Sequence, residues 1–268
     1  MRPISTNPLV RIISPDDERY QEIKNVHDPI SRKQLLKELI DRVRREEVLI
    51  QYVNPSFTQP KLVAFDLDGT LVASEFIHTI ATQGVTQEVG KMLKRLTEEA
   101  LNGAKDWSHN YEKRVSLLQG MSVKRLENIY QLLPLAEGAK ELIASLKIKG
   151  IKTAIISGAW SEYAEYIARI TGIEHCFATR WELDNGQVTG RISGPILSPE
   201  AKWEVLRQLA EEHQILPKDI VVVADGYNDL EMMTHVGSCI LLHATPHHPL
   251  PLMKCVQQIL CKEFTNQY

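Results

Sequence analysis

Three short, largely apolar runs, each closing on a polar residue, frame the chain: LVAF before Asp66, TAII before Ser157 and IVVVA before Asp225. Runs of this length without polar alternation read as parallel strands buried on both faces. Helical patterns lie between them. AEGAKELIASLKIKG ends on Gly150 and SEYAEYIARITG ends on Gly172, each glycine standing as a C-terminal cap. Strand and helix in alternation predict an α/β fold around a doubly wound parallel sheet. The stretch from about 74 to 132 is too long for one crossover helix and offers at least three, so it reads as a helical cap inserted into the α/β unit. Trp181 to Ile192 alternates around Asn185-Gly186 and predicts a β-hairpin.

Before Lys61 the texture differs. SRKQLLKELIDRVRREEVLIQY places Leu36, Ile40, Val43 and Ile50 at helical spacing among dense charges, which predicts one amphipathic helix. Ser31 is its expected N-cap, and Asn54-Pro55 its expected stop. The expected division is a helical extension over 1–60, an α/β core over 61–73 and 134–268, and a cap over 74–133. The helix packs on the main domain or serves as an arm for a partner, a second copy of the chain included.

Composition narrows the function. A net charge of −3 lacks the basic footprint of a nucleic-acid binder, so no nucleic-acid partner is expected. The four cysteines, Cys176, Cys239, Cys255 and Cys261, form no CxxC pair and read as buried reduced thiols. No apolar run reaches membrane-span or signal-peptide length, which makes a cytoplasmic protein without membrane contact the expectation.

Ligands of an open parallel sheet sit outside the carboxyl ends of its strands, so Asp66, Ser157 and Asp225 are expected to meet in one crevice. Asp66, Asp68, Asp225 and Asp229 crowd that region, and carboxylates at such depth require a cation. An all-oxygen donor set without nearby His or Cys favours a hard ion, and Mg2+ fits best. Asp66 and Asp68 stand two apart, so extended backbone turns both carboxylates to one side, and Gly69 permits the sharp turn that follows. That pairing suits attack on phosphorus by Asp66, with Asp68 protonating the leaving alkoxide and later accepting a proton from water.

FDLDGTL (65–71), IISG (155–158), Lys202 and VADGYNDL (223–230) together resemble the four ordered motifs of the haloacid dehalogenase-like superfamily of phosphohydrolases. The resemblance implies a Rossmann-like core with a mobile cap. It also implies Asp66 as nucleophile, Asp68 as general acid and base, and Mg2+ held by Asp66, the Asp68 carbonyl and Asp225, with Asp229 steering water on the metal. Ser157 and Gly158 would bind phosphoryl oxygens, Lys202 would neutralise charge growing there, and Asn228 joins the substrate-binding set. Within the superfamily, Glu75, the cap residue Arg114 and FATRWELDNGQVTG resemble the phosphoserine phosphatases. Glu75 would take an ammonium and Arg114 a carboxylate. The chain departs from that group at Gly69, Ala159-Trp160, Ala224 and Tyr227, with Trp160 and Tyr227 expected to add bulk near the phosphate.

The expected activity is therefore Mg2+-dependent hydrolysis of O-phospho-L-serine through a phospho-Asp66 intermediate, in serine biosynthesis. Another small phosphate ester, such as phosphoethanolamine or a sugar-derived enol phosphate, transfer to a second hydroxyl compound, and a non-catalytic binding protein stay open. Trp107 and Leu101 are expected to pack in the cap, and His243, His247 and His248 to lie in a surface loop without a role.

Overall fold

The computed structural model describes residues 9–14, 17–23, 32–101, 106–248 and 250–261. In chain order the elements are β1 (Leu9–Ser14), β2 (Asp17–Ile23), α1 (Arg32–Glu46), β3 (Leu49–Val53), β4 (Leu62–Phe65), α2 (Phe76–Thr79), α3 (Gln87–Leu101), α4 (Trp107–Ser116), α5 (Val123–Tyr130) and α6 (Ala139–Ile148). They continue with β5 (Lys152–Trp160), α7 (Ser161–Thr171), β6 (His175–Thr179), β7 (Trp181–Asp184), β8 (Gln187–Ile192), α8 (Pro199–Glu212), β9 (Ile220–Ala224), α9 (Leu230–His235), β10 (Ser238–Leu241) and α10 (Leu252–Cys261). A π-helical turn, Ile80–Gly84, continues α2.

Eight strands form one sheet in the order β2-β1-β3-β10-β9-β4-β5-β6. The five from β10 to β6 are parallel, and β4 is the strand at which the winding reverses. Alternate residues of each strand face opposite layers. Val63 and Phe65 of β4 join the core with α6, α7 and α10, whereas Leu62 and Ala64 join the one with α1, α8 and α9. A buried aliphatic side chain is worth roughly 2 kcal/mol, so these two layers carry the fold.

The N-terminal region is not a helical extension alone. The helix ends at Glu46, Glu47 turns left-handed at φ 52°, and Ile50 lies in β3, antiparallel to β10. VLIQYV carries the β-branched Val48 and Ile50 on one face and buries Leu49 on the other, the signature of a central strand, which outweighs the helical spacing of Ile50. Asn54-Pro55 therefore stops a strand. Strand β1 pairs beside β3, so the segment extends the sheet. Leu36, Ile40 and Val43 are buried inside this chain, and that stripe is not open to a partner. Ser31 and the Leu101 side chain lie outside the described residues.

The helices α2 to α5 leave the sheet after β4, and the chain returns before α6. The two connecting stretches run side by side, where Ala136 N–H donates to Leu71 O at 2.8 Å and Ala73 N–H to Pro134 O at 2.9 Å. The expected hairpin is β7-β8, with Asn185 at φ 46° and Gly186 at φ 76° in its turn. It rests on the cap: Gly120 N–H donates to Val188 O at 2.8 Å, and Trp181 Nε1 to Tyr111 Oη at 2.9 Å. Cys239 and Cys255 are buried, Cys176 and Cys261 half-buried, and all four are free thiols.

Candidate active site

Asp66 follows the last paired residue of β4, and its N–H donates to Val223 O at 3.0 Å, extending the ladder by one residue. Asp225 follows β9 in the same way. Asp229 sits in a short 3-10 turn at the head of α9, within reach of the first two. The three carboxylates are buried and offer oxygens within 4.8 Å of one another. Lys202 comes from the first turn of α8, which starts cleanly because Ser198 caps it, Oγ accepting from Ala201 N–H at 3.3 Å, with Pro199 next. Fully buried, Lys202 donates from Nζ to Asp66 Oδ1 at 2.9 Å and to Asp229 Oδ1 at 2.7 Å.

The electrostatics are short of positive charge. Burial, then the neighbouring carboxylates, raise Asp66 and Asp229 above the usual range, with Lys202 opposing. Burial pulls the Lys202 ammonium down, but Asp229 and Asp66 outweigh it and hold its pKa up. Asp68 is pushed up to about 7 by burial and by the Asp66 and Asp225 charges, against the Tyr163 hydroxyl that donates to its Oδ1 at 2.8 Å. Among the described residues, Asp229 Oδ2, Asn228 Oδ1 and Thr70 Oγ1 are buried without a hydrogen-bond partner. An orphaned buried carboxylate oxygen is expensive, and Asp229 Oδ2 within a cluster of three carboxylates fits a hard divalent cation. Asp66, Asp225 and Asp229 would hold it.

Gly69 is required where it stands. Its φ is +69°, and a Cβ there would lie 2.7 Å from Asp225 Oδ2. His243, expected to be idle, stands behind the same carboxylate, with Nδ1 3.1 Å from Asp225 Oδ2, and Ala244 N–H donates to Gly69 O at 2.6 Å. The apolar run through β10 closes on His243 just as the other strands close on theirs, so that signal was present. His247 and His248 lie in the turn that follows, where His248 Nδ1 accepts from Leu250 N–H at 3.1 Å.

One cleft above the carboxylates is shared by Asp66, Asp68, Glu75, Arg114, Ser157 and Gly158, and Asn228 also lines it. Ser157 lies where the β5-β6 pairing breaks, and its Oγ accepts from Ala159 N–H at 3.2 Å. Glu75 precedes α2, and burial, then Asp68, Asp225 and Asp66, raise it well above the usual range. Arg114 donates from Nε to Asn110 Oδ1 at 3.0 Å and stacks 5.1 Å from the Tyr111 ring centre. Burial lowers its pKa. Glu75 and Arg114 make no ion pair with each other.

Two expectations need correction. Trp107 packs on Tyr111, rings 5.1 Å apart, yet it also walls the cleft, its edge 3.0 Å from where a Cβ on Gly158 would sit. Tyr227 adds no bulk at the cleft, because its hydroxyl turns to α1 and donates to Asp41 Oδ1 at 2.7 Å. Trp160 does line the cleft, buried and stacked on Trp181 at 5.2 Å.

Buried carboxylates around one lysine, at the carboxyl edge of a parallel sheet, mark a Rossmann-like α/β protein with its ligand site at that edge. The model of the haloacid dehalogenase-like hydrolases matches residues 63–234, and the chain belongs to that family. It is 36% identical over 214 residues to a phosphoserine phosphatase of Archaeoglobus fulgidus, covering 77% of this chain and 61% of the relative, so it spans about three fifths of that protein. A phosphoserine phosphatase of Methanocaldococcus jannaschii is 36% identical over 187 residues, 69% of this chain and 87% of that one. A solved structure described as a phospho-aspartyl intermediate analogue of phosphoserine phosphatase superposes with a TM-score of 0.61 at 36% identity, covering 67% of this chain and 84% of its own. Among the described residues, no helix is long and apolar enough to cross a membrane.

Proposed function

We propose that the chain is a Mg2+-dependent phosphomonoesterase that converts O-phospho-L-serine to L-serine and phosphate through a phosphorylated Asp66, in the cytoplasm and as a step of serine formation. Lys202 occupies Asp66 Oδ1, which leaves Oδ2 to attack phosphorus. The phosphorus–ester oxygen bond breaks as the new one forms, and Asp68 gives its proton to the departing serine oxygen. Asp68, now a carboxylate, takes a proton from water, whose oxygen attacks phosphorus and frees Asp66 and inorganic phosphate. Burial, the largest cause, raises Asp68 above the usual carboxylate range and favours the protonated form that an acid needs. The ion, when bound, neutralises the carboxylates and the phosphoryl charge. Lys202 stabilises charge on the transferred group, and Ser157, Gly158 and Asn228 position it.

The feature that supports the substrate reading is a carboxyl group and a guanidinium on one cleft wall, Glu75 and Arg114, with no salt bridge between them. An amino acid presents the complementary ammonium and carboxylate. The same mechanism with another ester, or with an acceptor alcohol in place of water, uses the lower half of the site only. The deciding experiment measures phosphate release from a panel of small phosphomonoesters with Mg2+ and with EDTA. Phosphoserine turned over best, with loss in EDTA, is expected. Equal rates with and without the chelator would refute the metal-assisted reading, and preference for an ester without a carboxylate would refute the substrate.

A further inference from the structure

The helix α1 brings one cation to the edge of the site. Arg44, mostly buried, donates from Nη2 to Asp225 Oδ2 at 3.3 Å and from Nε to the Asp225 main-chain carbonyl at 3.2 Å. The guanidinium thus holds both the side chain and the backbone of one residue. The next residue makes room for it: a Cβ on Gly226 would lie 2.8 Å from Arg44 Nη2. One turn of helix earlier, Asp41 accepts from the Tyr227 hydroxyl at 2.7 Å. The turn from Asp225 to Asp229 is therefore tied to α1 at two points. Arg44 lies outside residues 63–234, the span of the family match.

We infer that Arg44 is a positioning residue for Asp225, so that the N-terminal segment completes the metal-binding half of the site. The proposal rests on Asp225 being a metal ligand. Arg44 and His243 both fall on Oδ2, which leaves Oδ1 to the ion. Two opposing effects follow from a cation so placed. Its charge repels a divalent ion, while its hold on the carboxylate saves the ion the cost of ordering that ligand. Outer partners of metal ligands are typically worth about 10- to 100-fold in affinity, and the guanidinium sits on Oδ2 rather than on the oxygen left to the ion, so the hold outweighs the repulsion.

The test is Mg2+ binding to the full chain by calorimetry, without substrate, together with the Mg2+ dependence of phosphate release. Arg44→Gln is expected to weaken Mg2+ about tenfold, with kcat at saturating Mg2+ and KM for the ester held within about twofold. Arg44→Lys, which keeps the charge but not the fork that reaches two acceptors, is expected to recover only part of the affinity. Lys33→Ala, which removes the exposed 2.7 Å pair with Glu231 between the same helix and α9, is expected to leave Mg2+ binding unchanged. Tighter Mg2+ binding by Arg44→Gln, full recovery by Arg44→Lys, or an equal loss in Lys33→Ala would each overturn the proposal. A wild-type protein that binds no Mg2+ would instead overturn the metal reading beneath it.

Discussion

Lys202→Met removes the only ammonium bonded to Asp66 and Asp229 among the described residues and keeps a side chain of similar length. At contacts of 2.9 Å and 2.7 Å, each attraction is worth about 6 kcal/mol at an effective dielectric constant near 20. Desolvating the three charged groups offsets most of that, and breaking such buried pairs by deleting one partner typically costs about 3–5 kcal/mol. In a chain of this size the midpoint of thermal unfolding of the metal-free protein falls on the order of 10 °C. The deficit must depend on pH. Without the ammonium, Asp66 and Asp229 rise further above their unfolded values, so the folded state holds protons that the unfolded state releases. Stability then drops as pH climbs from the unfolded carboxylate value near 4 toward the raised folded values. Melts in EDTA should show a small difference from wild type at pH 5 and a large one at pH 8. Adding Asp229→Asn should return much of the loss, because one of the abandoned charges goes with it. Phosphate release should fall at least about 100-fold in kcat. A variant that melts within about 2 °C of wild type at pH 8 in EDTA, or that shows the same deficit at both pH values, would refute the idea that Lys202 is what makes this carboxylate cluster tolerable.

Asp66→Asn should abolish phosphate release, because an amide neither attacks phosphorus nor ligates a cation well, and residual turnover above 1 part in about 1,000 would remove Asp66 as nucleophile. Asp68→Asn should lose turnover yet stabilise the metal-free protein at pH 8. A carboxyl with a folded pKa of about 7 costs up to about 4 kcal/mol once both states are ionised, and nothing below pH 4. Melts in EDTA showing equal or lower stability for Asp68→Asn at pH 8 would contradict the burial argument. Arg114→Ala should raise KM for phosphoserine about 100-fold while sparing a phosphate ester without a carboxylate; equal effects on both would refute carboxylate recognition.

The parallel half of the sheet was legible because its signal is local. An apolar strand closing on Asp66, Ser157 or Asp225 states both the strand and the end at which chemistry gathers, and the structure brings these three to one cleft. Lys202 needed the family resemblance, since its local context, a capped helix start, is that of many exposed lysines. Trp107 was half legible: its stacking on Tyr111 follows from helical spacing, but its approach to Gly158 depends on how the cap settles over the core.

What was illegible arises where two periodicities overlap or where elements dock. The segment from Val43 to Ile50 keeps helical spacing, yet its second half pays nothing to become a strand, because β10 offers a ladder and both faces of β3 find apolar neighbours. Because β3 runs antiparallel to β10, it starts at the carboxyl edge of the parallel strands; α1, which precedes it, packs on α9, and Arg44 stands beside Asp225. No residue type or spacing announces that contact, since arginines are common on such helices. It follows from topology: a strand added next to β10 brings its preceding helix over the carboxyl edge of β9. The N-terminal helix, which by its own sequence either packs on the main domain or serves a partner, thus gains its chemical meaning from the strand that follows it.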